Sequence, residues 1–138
     1  MRILGLDVGT KTIGVAISDP LGWTAQGIET MRRSRLETDL EQLRELVDKW
    51  EVEAIVIGMP RNMNGTYGPK SEIIRAFGQQ LADKVQRPIH YWDERLTTVA
   101  AQKTLLQGDV SRAKRKQVVD KLAAVLILQN YLDGHRRP

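Results

Sequence analysis

A chain of 138 residues, 41% hydrophobic and 28% charged, is long enough to bury one real core and too apolar to be a disordered polypeptide. It has no cysteine and two histidines, His90 and His135, which excludes disulfides, thiolate catalysis and cysteine-held zinc and leaves oxygen ligands for any metal. The net charge of +4 favours a polyanionic partner. No apolar run approaches the roughly 18–20 residues that cross a bilayer, and Met1-Arg2-Ile3-Leu4-Gly5 leads straight into a strand pattern without a signal-peptide core, so a cytoplasmic protein with no membrane association is expected.

In chain order, residues 2–8 read as a buried strand. Gly9-Thr10-Lys11-Thr12 follows as a turn, Ile13 to Asp19 as a second strand, Pro20 and Gly22 as the next turn, and residues 23–31 as a third, more exposed strand. Three consecutive strands with short links predict an antiparallel meander. Ser34 and Glu37 fit a capping box, and Leu36, Leu40, Leu43, Leu46 and Val47 recur at helical spacing up to about Trp50. Residues 53–58 form a short apolar run ending in glycine, so strand, helix and strand call for a right-handed crossover into a parallel position.

From Met59 to Pro69, two prolines, two glycines and the Asn64-Gly65 step predict a loop long enough to carry function. Ser71 is expected to cap a helix bearing Ile73, Ile74, Phe77, Leu81 and Val85. A fifth strand follows over residues 89–92. Thr97 or Thr98 opens another helix to about Leu106, Gly108 stops it, and Lys116 to Leu132 forms the last one. One α/β domain over residues 1–138, with the order βββαβαβαα and a mixed sheet, accommodates all of these elements.

Three acids sit where a carboxylate is awkward. Asp7 interrupts an apolar strand, Glu94 follows the run Ile89-His90-Tyr91-Trp92-Asp93, and Asp120 interrupts Val118-Val119-Asp120-Lys121-Leu122-Ala123-Ala124-Val125. Burying an unpaired carboxylate costs several kcal/mol, so such groups are paired, neutralised or bound to a cation. Asp7 shares a strand face with Ile3 and Gly5, opposite Leu4, Leu6 and Val8; its structural alternative is a cap on the backbone amides of Thr10 or Lys11. Asp93 and Glu94 point to opposite faces and only one can join Asp7, with Arg95 available to pair the other; alternation alone leaves that choice open. Asp120 shares a helical face with Ala123, Ala124 and Ile127, its alternative being an acid favoured by the helix dipole near an N-terminus at Lys116. Gathered together, three carboxylates would repel unless Mg²⁺ or Mn²⁺ joined them, and two such ions suit in-line phosphodiester cleavage.

The cations extend this pattern. Arg112, Lys114, Arg115 and Lys116 crowd one connection before the last helix, Arg61 and Lys70 flank the long loop, Lys11 follows Asp7, Arg95 adjoins Glu94, and Arg136-Arg137 lie in the tail. A basic rim around an acidic metal centre suits a phosphate backbone with salt-sensitive affinity, whereas the plain alternative is a solvated basic loop. One Phe, three Trp and three Tyr offer no evident base-stacking platform.

Four segments together carry a family resemblance: Leu6-Asp7-Val8-Gly9-Thr10-Lys11-Thr12-Ile13-Gly14-Val15-Ala16, Gly58-Met59-Pro60 through Asn64-Gly65-Thr66, Asp93-Glu94-Arg95-Leu96-Thr97-Thr98, and Val119-Asp120 through Ala123-Ala124-Val125-Leu126-Ile127-Leu128. In this order they resemble the YqgF family of ribonuclease H-like proteins, known as Holliday-junction resolvases or pre-16S rRNA nucleases. The resemblance implies a ribonuclease H-like fold, a five-stranded mixed sheet with helices on both faces. It implies an acidic catalytic and metal-binding triad at Asp7, Glu94 and Asp120, choosing Glu94 over Asp93. It also implies maturation of the 5′ end of pre-16S rRNA, with the small ribosomal subunit as a possible partner. Arg61 departs from the apolar residue that relatives often carry. The rivals are a resolvase of four-way DNA, which would act as a homodimer where a nuclease can be a monomer, and a non-catalytic RNA-binding assembly factor. The stretch Asp7-Val8-Gly9-Thr10-Lys11-Thr12 also looks like the first phosphate loop of the sugar kinase, actin and Hsp70 superfamily, but those proteins enclose ATP between two lobes.

Overall fold

The computed structural model describes residues 2–60, 68–93 and 112–135, the stretch 112–120 by its backbone alone. Short turns leave successive strands no choice but to pair with their neighbours. β1 (Arg2–Val8) pairs antiparallel with β2 (Thr12–Ser18), and β2 with β3 (Ala25–Arg32). Helix α1 (Leu36–Lys49) then carries the chain to the other side of β1, where β4 (Val52–Met59) pairs in parallel with it. Helix α2 (Pro69–Val85) leads to β5 (Ile89–Asp93), parallel to β4, and the last described helix, α3, spans Arg112–His135. The sheet order is β3-β2-β1-β4-β5, so β1 lies at its centre.

The strand pleat sorts side chains into two cores. Leu4, Leu6 and Val8 of β1, Ile13, Val15 and Ile17 of β2, and Ile55, Ile57 and Met59 of β4 face Leu40, Leu43 and Val47 of α1 and Ile74, Phe77, Leu81 and Val85 of α2. On the opposite face, Ala16 and Val56 meet Ala123, Ala124, Ile127, Leu128, Tyr131 and Leu132 of α3. Burying each large aliphatic side chain contributes about 1.5–3 kcal/mol, so these two layers, and not the exposed ion pairs, hold the sheet.

Glycine lets α3 lie close. A Cβ on Gly5 would fall 2.7 Å from Leu128 Cβ and 3.2 Å from the Ala124 carbonyl oxygen, and one on Gly27 would fall 2.5 Å from Lys121 Cε. At the far end Gly134 abuts the Trp92 ring. The helix thus spans the sheet from β3 across β1 to β5. Among the described residues no helix is long and apolar enough to cross a membrane.

Several local expectations are corrected. The Ser34–Glu37 capping box does not form: α1 starts at Leu36 with Arg35 at its N-cap and no side-chain cap bond. Ser34 instead gives its N–H (3.0 Å) and its hydroxyl (3.3 Å) to Asp39 Oδ1, because a buried carboxylate requires donors more than an exposed helix end requires an acceptor. Ser71 does not cap α2, which begins at Pro69 after Gly68; its hydroxyl donates to the Pro60 carbonyl, and proline suits the first helical position without help.

Leu36 and Ile73 are exposed despite their helical spacing, the first at the helix end and the second just off the face of Ile74. Met59 belongs to β4, not to the loop, and the third strand starts at Ala25. Arg112, Lys114, Arg115 and Lys116 lie within α3, not in a connection before it; four cations at a helix start oppose the dipole, which is why they read as loop. The helix expected from Thr97 or Thr98 to Leu106, with its stop at Gly108, lies outside the described residues.

Candidate active site

Asp7 is the penultimate residue of the central strand and only 7% exposed. Alternation puts it on the face of Gly5, where α3 packs. It lies at the carboxyl end shared by the parallel strands β1, β4 and β5, where Leu6 stands beside Ile57 and Met59 beside Asp93. In open α/β sheets this end is where ligand crevices form.

Asp120 stands one helical turn before Ala124, the residue whose carbonyl approaches Gly5. Its backbone therefore belongs to the same α3–β1 layer as Asp7. Because α3 begins at Arg112, Asp120 is about two turns inside the helix, beyond the first turn in which the dipole favours an acid. The structural alternative for Asp120 loses its footing.

The neighbours of β5 bear on the choice that alternation left open. Tyr91 lies against α2, where a Cβ on Gly78 would meet its hydroxyl, and Ile89 packs on the α1–α2 core. His90 and Trp92 turn the other way, their rings 5.8 and 6.0 Å from Tyr131 of α3. The pleat thus puts Asp93 on the α2 face, opposite Asp7. Glu94 and Arg95 lie outside the described residues. Of the three acids only Asp7 has a described side chain, and among the described residues no three metal-ligating side chains gather.

Two of the expected cations are described in full. Lys11 is exposed in the turn after β1. Lys70 is exposed in the first turn of α2, which the Ser71–Pro60 bond ties to the end of β4. Both stand at the carboxyl end of the sheet with Asp7. The side chains of Arg112, Lys114, Arg115 and Lys116 are not described, and Arg61, Arg136 and Arg137 lie outside the described residues.

Two features escaped the sequence reading. Arg33, just past β3, donates through Nη1 to the Gly9 carbonyl at 2.9 Å, and its backbone N–H donates to the Lys11 carbonyl at 2.8 Å. Its Nε meets Asp39 Oδ2 at 3.4 Å and its guanidinium lies 5.3 Å from the Phe77 ring centre. Asp39 is fully buried, and its position four residues before Leu43 on the inner face of α1 was a signal of the kind used for Asp7. The second feature is a ring cluster of His90, Trp92, Tyr131 and His135, in which Tyr131 and His135 stack at 4.0 Å. It joins two distant segments, so no local pattern announced it.

A mixed sheet of order β3-β2-β1-β4-β5 with helices on both faces is a ribonuclease H-like fold. RuvC of T. thermophilus, solved with a Holliday junction substrate, shares this fold with a TM-score of 0.61 at 15% identity, over 100% of this chain and 99% of that one. The Holliday junction resolvase of fowlpox virus shares it at 0.54 and 15% identity, over 97% and 99%. The chain belongs to the family described as "RuvX: Holliday junction resolvase", which matches residues 1–134. A protein of Heliobacterium modesticaldum named "Putative pre-16S rRNA nuclease" is 74% identical over 134 residues, covering 97% of this chain and 90% of its own. One of the same name from Moorella thermoacetica is 61% identical over 133 residues, covering 96% and 95%.

Proposed function

We propose that this protein is a divalent-metal-dependent nuclease that hydrolyses phosphodiester bonds at the 5′ end of pre-16S rRNA. The observation that carries this is Asp7, a carboxylate 7% exposed at the carboxyl end of the central strand. The family and the names of its relatives support it. Residues 1–138 act here as one domain, in the cytoplasm, as a monomer or homodimer, on RNA of the small ribosomal subunit.

Asp7, Glu94 and Asp120 are the residues that would hold Mg²⁺ or Mn²⁺. Asp7 is a buried carboxylate, a hard oxygen donor of the kind such a cation prefers, and a cation would offset the repulsion of three carboxylates brought together in this reading. Bound there, the ion supplies positive charge against the phosphoryl group as it is transferred. Lys11 and Lys70 attract the phosphate backbone and hold the strand at the mouth of the site; Arg61, Arg95, Arg112, Lys114, Arg115 and Lys116 are the further cations proposed for this role. The family's description favours one other substrate, four-way DNA.

The test is a side-by-side cleavage assay on a 16S precursor 5′ end and a four-way junction, with Mg²⁺ or Mn²⁺. Asp7→Asn, Glu94→Gln and Asp120→Asn proteins serve as controls. Cleavage of the RNA that all three substitutions abolish is expected. Preferential cutting of the junction would transfer the function to DNA, and unchanged activity in all three variants would sink the site.

A further inference from the structure

We infer that Arg33 is a positioning residue: it fixes the Gly9–Thr12 turn, and through that turn the placement of Asp7. This rests on the role proposed for Asp7 above. The turn leaves β1 two residues after Asp7 and is closed by the backbone bond from Gly9 N–H to the Thr12 carbonyl at 2.9 Å. Arg33 takes two more of its carbonyls, Gly9 through the guanidinium at 2.9 Å and Lys11 through the main chain at 2.8 Å. One residue thus grips both arms of the turn.

The grip is itself anchored. Asp39 of α1 holds Nε from a fully buried position, its other oxygen taken by Ser34, and Phe77 of α2 lies beneath the guanidinium. Turn, β3 end, α1 and α2 meet at this one side chain. A planar, multiply donating guanidinium can serve a carbonyl, a carboxylate and a ring together, whereas a lysine ammonium on a flexible stem cannot reproduce that fork. The turn has little slack, since a Cβ on Gly9 would fall 3.0 Å from the Thr12 oxygen. Displacements of about 1 Å at a reacting centre can cost about 10²-fold in rate, so a loosened turn should register in turnover before it registers in substrate binding.

The decisive variant is Arg33→Lys, which retains a cation for Asp39 and loses the fork. A second, Arg33→Gln with Asp39→Asn, removes both charges so that no buried ion is orphaned. Four quantities are compared with wild type: thermal midpoint, affinity for a 16S precursor 5′-end RNA without divalent ion, Mn²⁺ affinity by calorimetry, and amide hydrogen exchange at residues 9–12, alongside Mn²⁺-dependent cleavage. The expected result for Arg33→Lys is a nearly unchanged midpoint and RNA affinity, faster exchange in the turn, weaker Mn²⁺ binding and at least about tenfold slower cleavage.

Folded variants with wild-type exchange and cleavage overturn the inference. So does failure of both variants to fold, which would make Arg33 a strut of the whole domain. If wild type cuts neither nucleic acid, or Asp7→Asn cuts normally, the functional reading fails instead. Turn exchange and Mn²⁺ affinity then decide Arg33 alone, and unaltered values in Arg33→Lys overturn it.

Discussion

Asp7 and Asp19 look alike in the sequence, each an acid at the end of an apolar strand with turn residues behind it, yet the fold gives them opposite environments. Asp19 stays local. Its carboxylate accepts the backbone N–H groups of Trp23 at 2.6 Å and Thr24 at 3.0 Å, while Gly22, at φ 74°, completes the turn. The Thr24 bond, with smaller help from Trp23 and Leu21, outweighs partial desolvation and holds the Asp19 carboxyl below its ordinary pKa. Asp7 lies in the central strand on the face that α3 covers, and the turn behind it is gripped from outside by Arg33. An acid in a self-sufficient hairpin is a cap. The same residue at a covered strand end is a candidate for chemistry.

Removing the charge from each acid should separate them most sharply. Asp7→Asn should reduce Mn²⁺-dependent cleavage by at least about 10³-fold, since metal-borne charge stabilisation is worth several kcal/mol, while circular dichroism and the melting profile remain those of a folded protein. Asp19→Asn should leave cleavage unchanged. Equal losses in both proteins would erase the distinction.

Gly5→Ala tests whether the covered face is what sets Asp7 apart. Its Cβ would collide with Leu128 Cβ at 2.7 Å, so α3 must move or the core must strain, at a cost of about 1–3 kcal/mol. A lower denaturation midpoint together with slower cleavage is expected, because the displaced helix carries Asp120. Loss of stability without loss of rate would detach α3 from the site.

The smallest effects are acid-dependent and exposed. Glu41 is held down to about 2 by its bonds to Arg44 and then Lys84, linking α1 to α2. A depressed carboxyl contributes stability that is present above its unfolded value, 4.5, and is lost as pH falls through about 2. Asp19, also held below its ordinary value, follows the same sign. Thermal melts across this window should show Asp19→Asn and Glu41→Gln proteins losing less stability on acidification than wild type, by about 2 °C or less for Glu41.

Much of the fold was legible because strand period and short turns are local properties. The meander, the parallel β4, the existence of a fifth strand, and the apolar faces of Leu40, Leu43 and Val47 or of Phe77 and Leu81 all stand where local pattern put them. That β5 runs parallel to β4 came from the tertiary structure. Helix starts were less legible, because Ser34 and Ser71 had better partners in the tertiary structure than the helix ends they were expected to cap. For the candidate site, the sequence offers acids that break apolar patterns, Asp7 and Asp120, and offers no sign of what supports the turn behind Asp7: nothing near Arg33 says that its partners are Gly9, Asp39 and Phe77.

What the sequence determined by itself is the order of the five strands and of the three described helices, the acids that interrupt apolar runs and, through four spaced segments, the family. Those follow from covalent neighbours, whose side-chain directions repeat with fixed period. Which acid faces which layer was decided only in three dimensions. Strand alternation supplies two faces without saying which helix covers each, and it took Tyr91 against Gly78 and Trp92 against Tyr131 to turn Asp93 away from Asp7.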